Sequence, residues 1–184
     1  MIETFHRYKR VMRTVVVVFA LALSATRAEA TSVVRFDFAQ LCEQAPTIVH
    51  VRVTGVEVVA SDDRVRTRTT FEILEPVKGT EASTVVLTLP GGRLESRHVT
   101  VPGMPTFEIG QETVIFLSEP GAHGSPWPVG LTQGCYRVIE DQVELQRGRT
   151  PIPAGAAFKP ADARPYRVSL PSFLSKIRET TDAR

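Results

Sequence analysis

The stretch Thr47–Val59, TIVHVRVTGVEVV, and its continuation Arg64–Leu74, RVRTRTTFEIL, decide the fold. Val49, Val51 and Val53 alternate with His50, Arg52 and Thr54, the period of two that a β-strand imposes on its side chains. At Gly55 the parity shifts by one residue and Val56 and Val58 carry the apolar side onward, which is the signature of a β-bulge. In the second run Val65, Phe71 and Ile73 share a face with Thr67 and Thr69, while Arg64, Arg66, Arg68 and Glu72 point away. Ala60-Ser61-Asp62-Asp63 between the runs has the length of a hairpin turn. Strands apolar on one side only predict an antiparallel sheet.

Downstream, strands are predicted at Thr84–Leu89, Arg93–Val101 and Glu112–Leu117, with a terminal hairpin, Gly134–Glu140 and Gln142–Gln146, around Asp141. Pro90-Gly91-Gly92, Pro102-Gly103-Met104-Pro105 and the Gly/Pro-rich Pro120–Pro128 punctuate them. About seven short strands with such punctuation predict a small sandwich or barrel. Two helices flank this body. Asp37 is placed to cap a short helix through Phe38, Leu41 and Ala45, stopped by Pro46. After Pro171, the stripe Leu170, Phe173, Leu174 and Ile177 recurs at helical spacing, as in a helix docked on the β-body.

The first thirty residues have the three parts of an export signal. Arg7, Lys9, Arg10 and Arg13 precede the apolar run Val15–Leu23, and Ala28-Glu29-Ala30 is a small-x-small cleavage site. Extended through Ala25, the run has 11 residues, against the roughly 20 that span a bilayer. The segment before Met12 adds nothing an export signal needs, so translation from Met12 is an open alternative to Met1. The expected organisation is therefore a signal peptide over 1–30, a β-barrel domain over 31–148, a Pro-rich connector over 149–168 and a C-terminal helix over 169–184. The expected location is periplasmic or extracellular, with no membrane association after cleavage.

Of 184 residues, 42% are hydrophobic and 23% charged, which excludes collagen-like, coiled-coil and wholly disordered chains. The 22 Lys+Arg against 20 Asp+Glu give a formal charge of +2. Removing residues 1–30 takes away five basic residues (Arg7, Lys9, Arg10, Arg13, Arg27) and two acidic ones (Glu3, Glu29). That leaves 17 against 18, a net of −1, and nucleic-acid binding loses its compositional support.

Two cysteines, Cys42 and Cys135, in an exported chain predict one disulfide, closing a loop of about 93 residues worth roughly 4 to 5 kcal/mol by chain entropy. The alternative is a reactive thiol beside His50 or His98. No G-x-S-x-G, P-loop, H-E-x-x-H or C-x-x-C occurs, and Pro126 after Ser125 does not suit a nucleophile elbow. His50, His98 and His123 are too far apart in sequence to signal a metal site, and Asp62-Asp63 lacks the oxygen-rich pattern of a calcium loop. No catalytic residue, metal or other cofactor is expected. The candidate binding residues are the outward Arg52, Arg64, Arg66 and Arg68, and Trp127 between Pro126 and Pro128. The arginines read either as a basic stripe for an acidic partner or as a solvated face that prevents aggregation. Trp127 reads either as an exposed anchor or as a cap on one end of the β-body.

The run from Ala45-Pro-Thr-Ile-Val through Val77-Lys78-Gly79, then Pro90-Gly91-Gly92, Pro105–Leu117 and Gln133-Gly-Cys-Tyr-Arg-Val138, resembles a family of uncharacterised exported bacterial proteins over about residues 36–140. The order of an early strand pair, the Lys78-Gly79 turn and the Gly-x-x-x-Val-x-Phe-Leu strand ending at Leu117 is also similar to the OB-like barrel of netrin modules and tissue inhibitors of metalloproteinases. That resemblance implies a mainly β fold, a small antiparallel OB-like barrel, and a protein-binding or protease-inhibiting role. The inhibitors bring an N-terminal cysteine to the enzyme's zinc. Here the expected N-terminus is Thr31 and Cys42 lies eleven residues in, so that mechanism does not transfer. The resulting expectation is a non-enzymatic module that binds a secreted or envelope protein. The alternative is a protease inhibitor acting through Pro102–Pro105 or Pro120–Pro128.

Overall fold

The structure, a computed structural model, describes residues 34–61, 64–121, 124–145, 150–153 and 166–183. The expected export signal, the expected Asp62-Asp63 turn, His123 and most of the expected connector lie outside these residues. The paired runs form long antiparallel strands, β1 (Thr47–Ser61) and β2 (Arg64–Lys78). They are followed by β3 (Thr84–Pro90), β4 (Gly92–Leu94), β5 (Arg97–Val99), β6 (Glu112–Leu117), β7 (Cys135–Ile139), β8 (Gln142–Leu145) and β9 (Tyr166–Ser169). Seven strands make one antiparallel sheet in the order β3-β2-β1-β6-β7-β8-β9, and β4-β5 is a separate hairpin. The register between β1 and β2 slips between Val53 and Gly55, the bulge the parity shift predicts.

Three expectations about the sheet need correction. First, among the described residues the sheet does not close into a barrel: β3 and β9 are its ends. The outer edge of β3 is satisfied by a loop side chain instead of a strand. The Thr88 N–H donates to Ser125 Oγ (3.0 Å), and that hydroxyl donates to the Val86 carbonyl (3.2 Å). Second, residues 93–101 are not one strand. The chain reverses at Glu95, which takes a positive φ of 51°, to make the β4-β5 hairpin. Third, the centre of the sheet is buried on both faces. Ile48 through Val51 are all buried, and so are Thr113 through Leu117.

The reason is that each face has its own core. On one face lie α1 (Phe38–Gln44) and α2 (Leu170–Asp182). Asp37 caps α1 through a reciprocal capping box with Gln40, and Leu170, Phe173, Leu174 and Ile177 bury the predicted stripe of α2. They pack with Ile48, Val114, Phe116 and Tyr136. The opposite face carries Val49, Val51, Val53, Phe71, Leu87 and Ile115, covered by Phe107 from the segment 100–111.

The expected disulfide is absent. Cys42 and Cys135 are both free thiols. Successive residues of a strand point to opposite faces, so Tyr136 enters the helix-side core while Cys135 packs against the other. Cys42, on α1, belongs to the helix-side core, with the sheet between the two sulfurs. A polar clasp ties the two ends of the fold instead. Gln133 Oε1 accepts the Phe36 N–H (3.1 Å), and Gln133 Nε2 donates to the Val34 carbonyl (2.9 Å).

Burial pushes the Cys42 thiol up from 9.0 to about 11, against a smaller lowering by Lys78, and burial alone pushes Cys135 up further. Both thiols are thus expected to resist Ellman's reagent in native protein at pH 8 and to react on unfolding. A folded-state value above the unfolded one stabilises fully below about pH 9 and is lost as pH rises through about 11. Stability measured by urea unfolding should therefore fall across that window, and less so in Cys42→Ala. An equal fall in the variant counts against the assignment.

Candidate functional site

Val53 keeps its register with Phe71 of β2, and on its other side, one step beyond the last β1–β6 pair, it holds the segment that leads into β6. The Gly110 N–H donates to the Val53 carbonyl (2.9 Å), and the Val53 N–H donates to the Gln111 carbonyl (2.9 Å). These bonds fasten the end of a strap, residues 100–111, across the sheet. Phe107 sits edge-on to Phe71, ring centroids 5.0 Å apart, and the Thr132 N–H donates to the Gly103 carbonyl (3.2 Å). The strap divides this face into two concavities, with Met104 through Phe107 lining both.

The first is an apolar pocket of about 240 Å³ under the β4-β5 hairpin. Val56 and Val58, which the bulge turns to this face, form its floor with Thr67, Thr69 and Leu89, and Val99 closes it from the hairpin. Gly92 lets the hairpin come this close. Its φ is +133°, and a Cβ there would lie 2.6 Å from Thr67 Oγ1 and 3.0 Å from a Val58 methyl. The hairpin root is pinned by Thr67 Oγ1 donating to the Gly91 carbonyl (2.8 Å). Val56 and Val99 leave 36% and 38% of their surface in solvent, so the rim offers apolar contact outward.

The second concavity, about 280 Å³, is polar. Its floor is Thr113, Cys135, Arg137 and Glu144, and Glu108 and Gln111 stand on the wall. Cys135 donates weakly to the Leu131 carbonyl (Sγ–O 3.6 Å), and its raised pKa keeps it protonated. Its sulfur packs against the strap-side core.

The arginines chosen from sequence, Arg52 on β1 and Arg64, Arg66 and Arg68 on β2, lie on the opposite face of the sheet from the pocket. Arg52 is bound by Glu112, whose Oε1 accepts from Nε (3.1 Å) and Nη2 (2.7 Å), and it also lies 3.7 Å from Glu72. Arg64 and Arg68 are exposed and Arg66 partly so, opposite Ser61, Glu57 and Val59. The stripe is therefore split: one arginine is neutralised, and three lie toward the hairpin end. Trp127 packs against the second core, held by reciprocal bonds with Ser118. His50 is 6% exposed, with Nε2 3.3 Å from Glu112 Oε2 and no hydrogen bond made.

Sequence reasoning missed Glu108, Arg137 and the pocket floor. Arg137 does stand out in the alternation of β7, between the buried Tyr136 and Val138, and that signal was available. Nothing local places Glu108, since the strap has no periodicity. Among the described residues no group of three metal-ligating side chains converges. No protein-family model matches the chain, and no curated protein matches it.

Proposed function

We propose that this chain is an exported, non-enzymatic binding module whose partner is a protein of the cell envelope or exterior, engaged through the apolar pocket beneath β4-β5. The observation that carries the reading is that pocket: an apolar concavity of about 240 Å³ with half-exposed valines at its rim. It is smaller than the roughly 300–1,000 Å³ of drug-sized or cofactor sites, so it suits one or two apolar side chains of a protein partner. The OB-like resemblance fits the same reading. The 124–129 segment meets β6 through the Leu117–Pro128 bridge and β3 through Ser125, joining two elements that a small barrel would bring together.

Protease inhibition is the second reading, and one observation moves its contact point. Among the described residues, the loops favoured from sequence expose Pro102, Gly103, Pro120 and Gly121 but no large apolar side chain. The turn Glu108–Gln111 instead presents Ile109, 72% exposed, from a backbone braced on Val53. A rigid turn with an apolar tip loses little entropy on binding, which favours a protruding inhibitory contact.

Selection of random peptides displayed on phage against the folded protein tests the first reading. The expected outcome is enrichment of peptides with a shared apolar anchor and at least about tenfold weaker binding to Val58→Glu, the cost of a desolvated charge in an apolar pocket. No enrichment, or equal binding to the folded variant, overturns it. Assays against metallo- and serine proteases decide the second reading: inhibition lost in Ile109→Asp supports it, and inhibition of none removes it.

A further inference from the structure

We propose that the polar groove on the far side of the strap binds a small zwitterion, an α-amino acid or short peptide with free ends and an apolar side chain. Its volume of about 280 Å³ fits a ligand of that size. Two charged side chains in its lining, Arg137 on the floor and Glu108 on the wall, make no ion pair among the described residues. The third, Glu144, is already taken: its Oε1 accepts from Arg167 Nη2 at 2.8 Å. Among the described residues the groove therefore holds one uncommitted charge of each sign.

The neutral groups follow the same division. Gln111 Oε1 accepts the Glu108 N–H (3.3 Å), which leaves its amide NH₂ to donate. Thr113 has given its hydroxyl proton to the Tyr136 carbonyl (2.9 Å), which leaves Oγ1 only as an acceptor. Arg137 and Gln111 thus offer donors to a carboxylate, and Glu108 offers acceptors to an ammonium. The Cys135 thiol stays protonated and adds no charge. A simple carboxylate would leave Glu108 without a partner and near a like charge, and a simple amine would do the same to Arg137. A zwitterion satisfies both. Met104 and Phe107 supply the apolar part of the wall, which favours an aliphatic side chain over a polar one.

The groove shares Met104–Phe107 with the apolar pocket, but Arg137 and Glu108 line the groove alone, so its test can fail while the protein-binding reading stands. The experiment is an amide-resolved NMR titration of the purified protein with leucine, leucyl-leucine, N-acetyl-leucine and leucinamide. Leucine or the dipeptide is expected to move the Gln111, Thr113 and Arg137 amides saturably, with each singly blocked compound at least about tenfold weaker. Arg137→Gln and Glu108→Gln, both at exposed positions, are expected to weaken leucine by a similar factor while retaining the parent melting temperature. Glu108→Gln should leave the residual binding of N-acetyl-leucine unchanged. Absence of any shift in millimolar leucine overturns the proposal. So does equal binding of leucine and the blocked compounds, or unchanged leucine binding in both variants.

Discussion

Phe173→Ala is expected to cost about 3–5 kcal/mol. Phe173 is 1% exposed and closes a ring of four aromatics drawn from four elements. It meets Tyr136 of β7 at 4.8 Å and Phe38 of α1 at 5.7 Å. Phe116 of β6 completes the ring, 5.5 Å from Tyr136 and 6.3 Å from Phe38. Such pairs add about 0.5–1.5 kcal/mol each beyond buried area, and truncation leaves a cavity that three other rings cannot fill without moving. Against a typical stability of about 5–15 kcal/mol, the variant sits near the threshold of folding. Urea unfolding followed by far-ultraviolet dichroism measures the loss, and Phe173→Leu, which keeps most of the volume, should recover more than half of it. Trp127 sits in the opposite core and reports whether both faces unfold together. A loss under about 1 kcal/mol in the alanine variant would mean that α2 does not dock as described.

Gly79→Ala is expected to cost about 2–5 kcal/mol, from two additive sources. Gly79 has φ +73°, where a side chain costs roughly 1–2 kcal/mol. A Cβ there would also stand 2.0 Å from the Pro46 carbonyl oxygen, so the backbone itself must shift. Asparagine separates the two, because it tolerates the left-handed conformation but carries the same Cβ. If the contact dominates, Gly79→Asn loses nearly as much as alanine in thermal unfolding. Near-parental stability of the asparagine variant would refute the contact. The tight approach matters because it delivers Lys78, whose Nζ donates to the carbonyls of Cys42 (2.9 Å) and Ala45 (2.8 Å). A cation at the C-terminus of so short a helix satisfies orphan carbonyls and opposes the helix dipole. The Lys78-Gly79 turn thus fixes α1 over the sheet.

The two-residue alternation of Thr47–Leu74 was enough to read β1, β2, their antiparallel pairing and the bulge at Gly55, because strand geometry forces each of these locally. Helix α2 was legible for the same reason, as its apolar stripe repeats at 3.6 residues. The reversal at Glu95 was not legible, since Leu94-Glu95-Ser96-Arg97 contains neither glycine nor proline to mark it. The candidate site was hardly legible at all. Val56 and Val58 looked like core valines, yet they floor a pocket because residues 92–107 arch over them without filling the space. Arg52 looked like part of a free basic stripe until Glu112, sixty positions away in sequence, was placed beside it.

The cysteines show where sequence stopped and tertiary structure took over. Sequence alone placed Cys135 within a strand, read as Gly134–Glu140, and strand alternation puts Tyr136 on the other face. It could not determine which face α1 would cover, and that choice rests on the four aromatic rings that converge on one side of the sheet. With α1 on the side of Tyr136, Cys42 and Cys135 lie on opposite faces and remain thiols, and Gln133 takes over the link between the ends. Local periodicity fixes the strands and helices one by one. Which faces are covered, and what charge is left uncommitted in the space between them, is set by long-range packing that no short window of residues contains.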